Sequence, residues 1–261
     1  MSIISLAIQK GGSGKTTTAI NLAAALQQMG HRVLLIDLDP QANLTQALGI
    51  HEEVEPNIYS EFQKAASGRK ADLQSIIQQQ SGLDLIPAAL ELAGAELELV
   101  SVYGREQLLG RMLQPLKDTY DFIFIDCPPA IGMLTVNALV ASDYVLMPLQ
   151  AEFLPLKGVR SFMRHFEMIQ NTLNKELRIL GFVLTKYDSR KVMNRNVLEQ
   201  LLEEYGENVF KTRIRTNIAL AQAQENGMDI FSYIPHANGA QDYAALAREF
   251  LEKLSESGSL Q

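Results

Sequence analysis

Gln9-Lys10-Gly11-Gly12-Ser13-Gly14-Lys15-Thr16-Thr17-Thr18 decides how this chain is read. An apolar run, Ile3-Ile4-Ser5-Leu6-Ala7-Ile8, precedes it and an Ala/Leu-rich segment from Ala19 to Met29 follows. Strand, glycine loop, helix is the setting of a phosphate-binding loop. Glycines let backbone N–H groups turn inward around phosphate oxygens, and the helix adds the positive end of its dipole. In that role Gly11, Gly12, Ser13, Gly14 and Thr17 cradle the phosphates, Lys15 reaches the β- and γ-phosphates, and the Thr16 hydroxyl holds Mg2+. The ordinary pattern G-x-x-x-x-G-K-[ST] fails at its first position, where this chain has Gln9 and, beside it, a second lysine, Lys10.

Outward from the loop the periodicity continues. Val33-Leu34-Leu35-Ile36, Leu83–Ile86, Phe122–Ile125, Tyr144–Met147, Ile179–Leu184 and Val209–Ile214 read as buried strands. Helices are expected at Thr16–Met29, closed by Gly30, and at Arg105–Lys117, Met133–Ala141, Gly158–Leu173, Met193–Tyr205 and Gly239–Leu254. This alternation predicts an α/β fold, a doubly wound and mostly parallel sheet flanked by helices. The polar segment His51–Gln80 reads as a peripheral excursion with two short helices. No linker separates a second domain, so residues 1–254 are expected to form one ATPase domain, with 255–261 as a frayed tail.

Composition narrows the classes. The chain has 261 residues, is 47% hydrophobic and carries a net charge of −7, which argues against a globally basic nucleic-acid binder but not against a local basic patch. Cys127 is the only cysteine, which leaves no disulfide framework and fits a reducing cytosol. No leader pattern and no run of about 18 apolar residues is present. The last helix places Tyr243, Leu246, Ala247, Phe250 and Leu254 on one face, while Arg248, Glu249, Glu252 and Lys253 mix on the other. A membrane-surface helix carries a cationic polar face instead, so packing onto the sheet is expected.

Ligands of such sheets bind beyond the carboxyl ends of the strands, and acids there are the candidates for the metal and the attacking water. Phe122-Ile123-Phe124-Ile125-Asp126 is an apolar strand ending in one carboxylate, the form of a Walker B element, and Asp126 is expected to hold Mg2+ through its water shell. Asp37 and Asp39 end another strand and share a face, and one of them is expected to orient water for attack on the γ-phosphate. A lysine at position 10 that cannot fold onto its own phosphates can reach those of a neighbouring molecule. It would neutralise developing charge there, as an arginine finger does. That predicts two protomers enclosing two ATP molecules.

Lys10-Gly11-Gly12-Ser13-Gly14-Lys15-Thr16 resembles the deviant Walker A loop of the ParA/MinD superfamily, usually K-G-G-x-G-K-[ST]. The likeness continues in Leu34–Asn43, with its Asp39-Pro40-Gln41 element, in Ile86-Pro87-Ala88, in Leu92–Leu99 and in Ile125-Asp126-Cys127-Pro128-Pro129. Together these are similar to the short, Soj-type ParA proteins across most of the chain. The resemblance implies a slow, partner-stimulated ATPase that uses ATP and Mg2+. It implies a homodimer that binds DNA without sequence preference, and a ParB-like or cargo-adaptor partner that triggers hydrolysis. It makes Lys10 the lysine acting across the dimer, Asp39 the catalytic acid and Asp126 the Walker B acid, in a cytoplasmic, nucleoid-associated protein. Nitrogenase iron proteins share the loop but need more cysteines. MinD-type proteins end in a basic membrane helix, and larger plasmid ParA proteins carry an N-terminal helix-turn-helix for which a loop starting at residue 10 leaves no room.

For DNA, Lys186, Arg190, Lys191 and Arg195 form one basic cluster and Lys211, Arg213 and Arg215 another with no acid interleaved. Arg190 falls where Soj-like proteins have a DNA-contacting arginine, while the second such position is Ala219, leaving Arg213 and Arg215 as the nearest substitutes. Adenine is expected near Thr185-Lys186 and Arg215-Thr216-Asn217. Two rival readings stand beside the partition ATPase: a metabolic P-loop enzyme passing phosphate to a small acceptor, as in amide-forming synthetases, and a MinD-like membrane-associated ATPase. The cargo, whether plasmid, chromosome or protein body, stays open.

Overall fold

The computed structural model describes residues 1–51, 54–151 and 155–258. In chain order the elements begin β1 (Ser2–Leu6), α1 (Lys15–Gln28), β2 (Val33–Asp37), α2 (Asn43–Ala47), α3 (Ile58–Ala66), β3 (Gln78–Gln80), β4 (Leu83–Ile86) and α4 (Leu92–Glu98). They continue as α5 (Leu108–Leu113), β5 (Phe122–Asp126), α6 (Met133–Ala141), β6 (Tyr144–Gln150), α7 (Pro155–Thr172), β7 (Arg178–Thr185), α8 (Val192–Tyr205), α9 (Ile218–Glu225), α10 (Ile230–Tyr233) and α11 (Asn238–Glu256). One seven-stranded sheet has the order β3-β4-β2-β5-β1-β6-β7. Every pairing is parallel except the short edge strand β3 on β4.

Burial explains why the strands are apolar throughout rather than alternating. Leu34, Ile36, Ile123 and Ile125 enter a core beneath α3–α8, whereas Val33, Leu35, Phe122 and Phe124 enter a second core beneath α1 and α9–α11. Successive residues point to opposite faces, and both faces are covered. On the second face Phe250 of α11 meets Phe122 and Phe124 edge-on or tilted, with centroids 5.4 and 5.7 Å apart. The amphipathic last helix therefore packs on the sheet as the sequence predicts. It runs on to Glu256, past the expected end at Leu254; of the expected tail, residues 259–261 lie outside the described residues. Gly30, at φ +90°, closes α1: its N–H donates to the Gln27 carbonyl and that of His31 to the Leu26 carbonyl.

Two expected elements are corrected. Val209–Ile214 is not a strand: it meets β7 in one isolated bridge, Phe182–Val209, with a second, Tyr187–Arg215, just beyond the ends of both segments. Phe210 and Ile214 donate N–H bonds to the β7 carbonyls of Phe182 and Leu184, but the N–H groups of Lys211 and Thr212 between them turn to the Glu249 carboxylate on α11. Arg105–Lys117 is not one helix, because Pro115 lacks the N–H that would continue the ladder past Leu113. It divides into a 3-10 turn at Arg105–Gln107, α5, and a second 3-10 turn at Gln114–Leu116. In the peripheral segment, α3 and a 3-10 turn at Leu73–Ile76 match the two short helices, while Gln78–Gln80 joins the sheet. Among the described residues no helix is long and apolar enough to cross a membrane.

Phe250→Ala removes a fully buried ring at the meeting of α11 and β5. It is expected to lower unfolding stability by about 3–5 kcal/mol in urea titration, with the slope of the transition unchanged.

Candidate active site

The loop after β1 is shaped by its glycines and held from behind by strand-end side chains. Gly12 and Gly14 have φ of +70° and +95°, which side chains rarely tolerate. The Thr185 hydroxyl, at the end of β7, donates to the Ser13 carbonyl at 2.9 Å, and the Gln150 amide, at the end of β6, donates to the Gly12 carbonyl. A Cβ at Gly14 would sit 3.3 Å from Thr185, whereas one at Gly11 or Gly12 would meet nothing within 4 Å. The inner side of the loop is thus packed, and the outer side opens on space where a phosphate can approach the backbone.

Lys15 is 8% exposed, and its ammonium donates to the Lys10 carbonyl at 3.5 Å. The Thr16 hydroxyl donates to Asp126 Oδ2 at 2.6 Å, which joins the first turn of α1 to the end of β5. Asp126 Oδ1 is buried without a hydrogen-bond partner. Burial, with the neighbouring Asp37 charge adding to it, raises the Asp126 pKa to about 8, against the opposing pull of Thr16 and Lys15. An orphaned carboxylate oxygen beside a hydroxyl, in a pocket that disfavours negative charge, is a fit for a divalent cation with oxygen ligands. Thr16 and Asp126 are the residues that would hold Mg2+.

The two aspartates after β2 separate in role. Asp37 is the register partner of Asp126 and is fully buried. Its Oδ2 accepts from the Thr45 N–H and hydroxyl at 2.9 and 2.7 Å, and its Oδ1 accepts from the Asp39 N–H at 3.1 Å. Burial raises its pKa to about 6 although these bonds oppose the shift. Asp39 instead lines a cleft of about 470 Å³ with Gly11, Lys15, Thr16, Gln41 and Pro129, and its Oδ1 accepts from the Gln41 N–H at 3.0 Å. Of the two, only Asp39 can address a molecule in the cleft.

Beside the loop lies a second cavity of about 460 Å³. Thr17 and Lys186 are on its wall, with Thr216, Asn217, Leu220 and Tyr243, so the segments expected around adenine converge there. Asn217 Oδ1 accepts from the Ala219 N–H as the cap of α9, which leaves its amide nitrogen for other contacts.

The basic residues come together only in part. Arg190, Arg213 and Arg215 line one cleft of about 510 Å³, while Lys186, at φ +48°, lies on the walls of the other two. The second cluster has no acid in sequence, but the fold supplies one, Asp242 of α11, which pairs with Arg215 at 2.7 Å; in the first cluster Arg190 pairs at 2.9 Å with Asp188, two residues before it. The Arg213 guanidinium lies 5.3 Å from the Tyr187 ring centroid, with its Nε buried and unpartnered. The sequence reading missed Gln150 and the Thr45 anchor of Asp37. Gln150, the last residue of an apolar strand at the ligand edge, had a signal that could have found it; Thr45 had none.

A family model described as an AAA domain matches residues 1–179. The sporulation initiation inhibitor protein Soj of Bacillus subtilis (strain 168) is 43% identical over 250 residues, 95% of this chain and 97% of that protein. The chain belongs to the ParA/MinD superfamily, on its Soj-type ParA branch. The chromosome-partitioning ATPase Soj of Treponema pallidum (strain Nichols) is 40% identical over 247 residues, 94% of this chain and 95% of that one. Cobyrinic acid a,c-diamide synthase from Mycobacterium smegmatis, solved with an ATP analog and magnesium, superposes with a TM-score of 0.84 at 34% identity, over 99% of this chain and 97% of that one.

In this Soj-type ParA chain the Asp126 carboxyl has a pH signature when nucleotide is absent. Its folded pKa of about 8 stands above the ordinary 3.8, so the folded state keeps a proton that the unfolded state releases. Stability from this group is full below the unfolded value and declines as pH rises toward about 8. Asp126→Asn is expected to flatten that decline in urea midpoints measured between about pH 5 and about pH 8. An equal decline in both proteins would contradict the assignment.

Proposed function

We propose that this chain is a partition or positioning ATPase whose residues 1–254 work as one unit on Mg2+–ATP. The observation that carries the chemistry is the 2.6 Å hydrogen bond by which Thr16, on the wall of a cleft that Asp39 shares, holds one oxygen of Asp126 while the second, buried behind it, has no hydrogen-bond partner. Magnesium, when bound there, neutralises charge on the β- and γ-phosphate oxygens. Thr16 and Asp126 hold it, Lys15 stabilises the phosphates, and Asp39 orients the attacking water. The base lies in the cavity lined by Thr216, Asn217 and Tyr243. Lys10 acts across a homodimer, and the slow basal hydrolysis rises when a ParB-like or cargo-adaptor protein engages the dimer. The ATP-bound dimer holds DNA without sequence preference through the Arg190, Arg213 and Arg215 edge, with Lys186 adjoining it, which places the protein on the nucleoid. The similarity to the chromosome-partitioning ATPase Soj of Treponema pallidum supports the partition role.

The similarity to a diamide synthase supports a second reading, amide formation through a phosphorylated acceptor. The two differ in a simple way: a positioning ATPase releases phosphate from ATP with no acceptor present, and an amide synthase needs one.

Asp39→Ala is expected to bind Mg2+–ATP and accumulate as a dimer in light scattering, retained on non-specific duplex DNA. That retention should fall by about 10³-fold or more between about 50 and about 200 mM salt. A monomer under saturating Mg2+–ATP, or no DNA retention at low salt, would count against the reading. Lys10→Ala is expected to keep ATP binding and lose about 10²-fold or more of the partner-stimulated rate. Full stimulation in that variant would exclude the trans lysine.

A further inference from the structure

We infer that Glu96 is a positioning residue for the candidate active site: its carboxylate, presented by α4, caps the start of α6 and so fixes the loop that runs from Asp126 to Gly132 along the cleft. The N–H groups of Met133 and Leu134 donate to Glu96 Oε2 and Oε1 at 2.6 and 3.2 Å. α6 has no acid in its first turn, and Gly132 at its N-cap offers no side chain, so these donors are satisfied from another helix. A carboxylate at that place is also favoured by the helix dipole.

Gly132 completes the fit. Its φ of −108° is open to any residue, so backbone conformation does not demand glycine there. Space does: a Cβ would lie 2.3 and 2.6 Å from the two Glu96 carboxylate oxygens. Positions 96 and 132 are therefore matched to each other. The loop between them and the site is short. It starts at Asp126, places Pro129 on the cleft wall, and is tied to α6 where the Thr135 hydroxyl donates to the Ala130 carbonyl at 2.7 Å. Its far end moves only as α6 moves, and the start of α6 is held by Glu96. α4 is itself a fixed platform, with Leu92 and Ala95, and Leu99 just after it, in the core and Glu98 accepting from the Tyr59 hydroxyl of α3 at 2.7 Å. A shift in the α4–α6 contact is thereby passed to the backbone that carries Asp126.

The inference rests on the Mg2+–ATP reading, and its test separates the two. Glu96→Ala, Glu96→Gln, Gly132→Ala and the Glu96→Ala/Gly132→Ala double variant are compared with the wild-type chain. They are followed by urea unfolding without nucleotide and by Mg2+ titration of fluorescent ATP-analogue binding. Glu96→Ala and Gly132→Ala are each expected to raise the Mg2+ concentration for half-maximal binding about tenfold. Glu96→Gln, which keeps one acceptor oxygen, should fall between Glu96→Ala and wild type. The double variant should be no worse than Glu96→Ala alone, because the added methyl then occupies space the carboxylate has left. Gly132→Ala should accordingly destabilise the wild-type background and not the Glu96→Ala background. Additive losses in the double variant, or lowered stability with an unaltered Mg2+ dependence, would overturn the inference alone. A wild-type chain that binds no analogue would overturn the ATPase reading together with it.

Discussion

The hydrogen bond from Thr16 to Asp126 is the contact on which the architecture of the site depends. It joins the first turn of the helix after the glycine loop to the end of β5, the middle strand of the sheet. Parallel register brings Leu6, Asp126 and Asp37 to one level, so the glycine loop, the Asp126 loop and the Asp39 turn all leave the sheet at the same edge. That edge is electrostatically unfavourable as it stands. Two carboxylates on adjacent strands are buried side by side, and Thr16 satisfies only one oxygen of Asp126. A cation relieves this strain more fully than any rearrangement of hydrogen bonds, since it compensates both the lost hydration and the mutual repulsion.

The same constraint explains the division of labour between Asp37 and Asp39. A carboxylate next to Asp126 stays in place only if its own oxygens are well bonded. Asp37 meets that condition through the Thr45 N–H and hydroxyl and the Asp39 N–H. The Thr45 hydroxyl in turn accepts from the Ala88 N–H after β4, so α2 ties the ends of β2 and β4 together behind the site. With Asp37 committed to structure, the turn after it carries Asp39 to the cleft wall. Access to the cleft at position 39 thus goes with immobility at position 37.

Much of this was legible in the sequence because it is local. The βαβ unit around Lys10–Thr18, the apolar strands ending in Asp37 and Asp126, and the stripe Tyr243–Leu254 all follow from patterns a few residues long. The misreadings come from contacts made at a distance. Val209–Ile214 has a strand's composition, yet Glu249, far along the chain, takes two of its N–H groups. Arg215 reads as an uncompensated cation until α11 brings Asp242 beside it. Nor does alternation along an extended chain separate Asp37 from Asp39; only the Thr45 anchor does. Pro115 was the exception, a local signal that ends a helix and was outweighed by the apolar pattern around it.

Charge compensation also orders the residues of the basic cleft. Arg190 holds Asp188 with a side-chain exposure of 89%, and an exposed pair of this kind contributes little. Arg215 grips a buried Asp242 carboxylate through its backbone N–H and its guanidinium and is less readily released. A phosphate that takes either arginine leaves Asp188 or Asp242 nearby to repel it. Arg213 faces a ring instead of a carboxylate, so a phosphate reaching it meets no such repulsion from its own partner. The Tyr187 ring also restricts the guanidinium, which lowers the entropy lost when it binds an anion. Within this cleft, then, the cation best placed to hold a phosphate is the one without an acidic partner among the described residues. An arginine count alone would have ranked the three as equals.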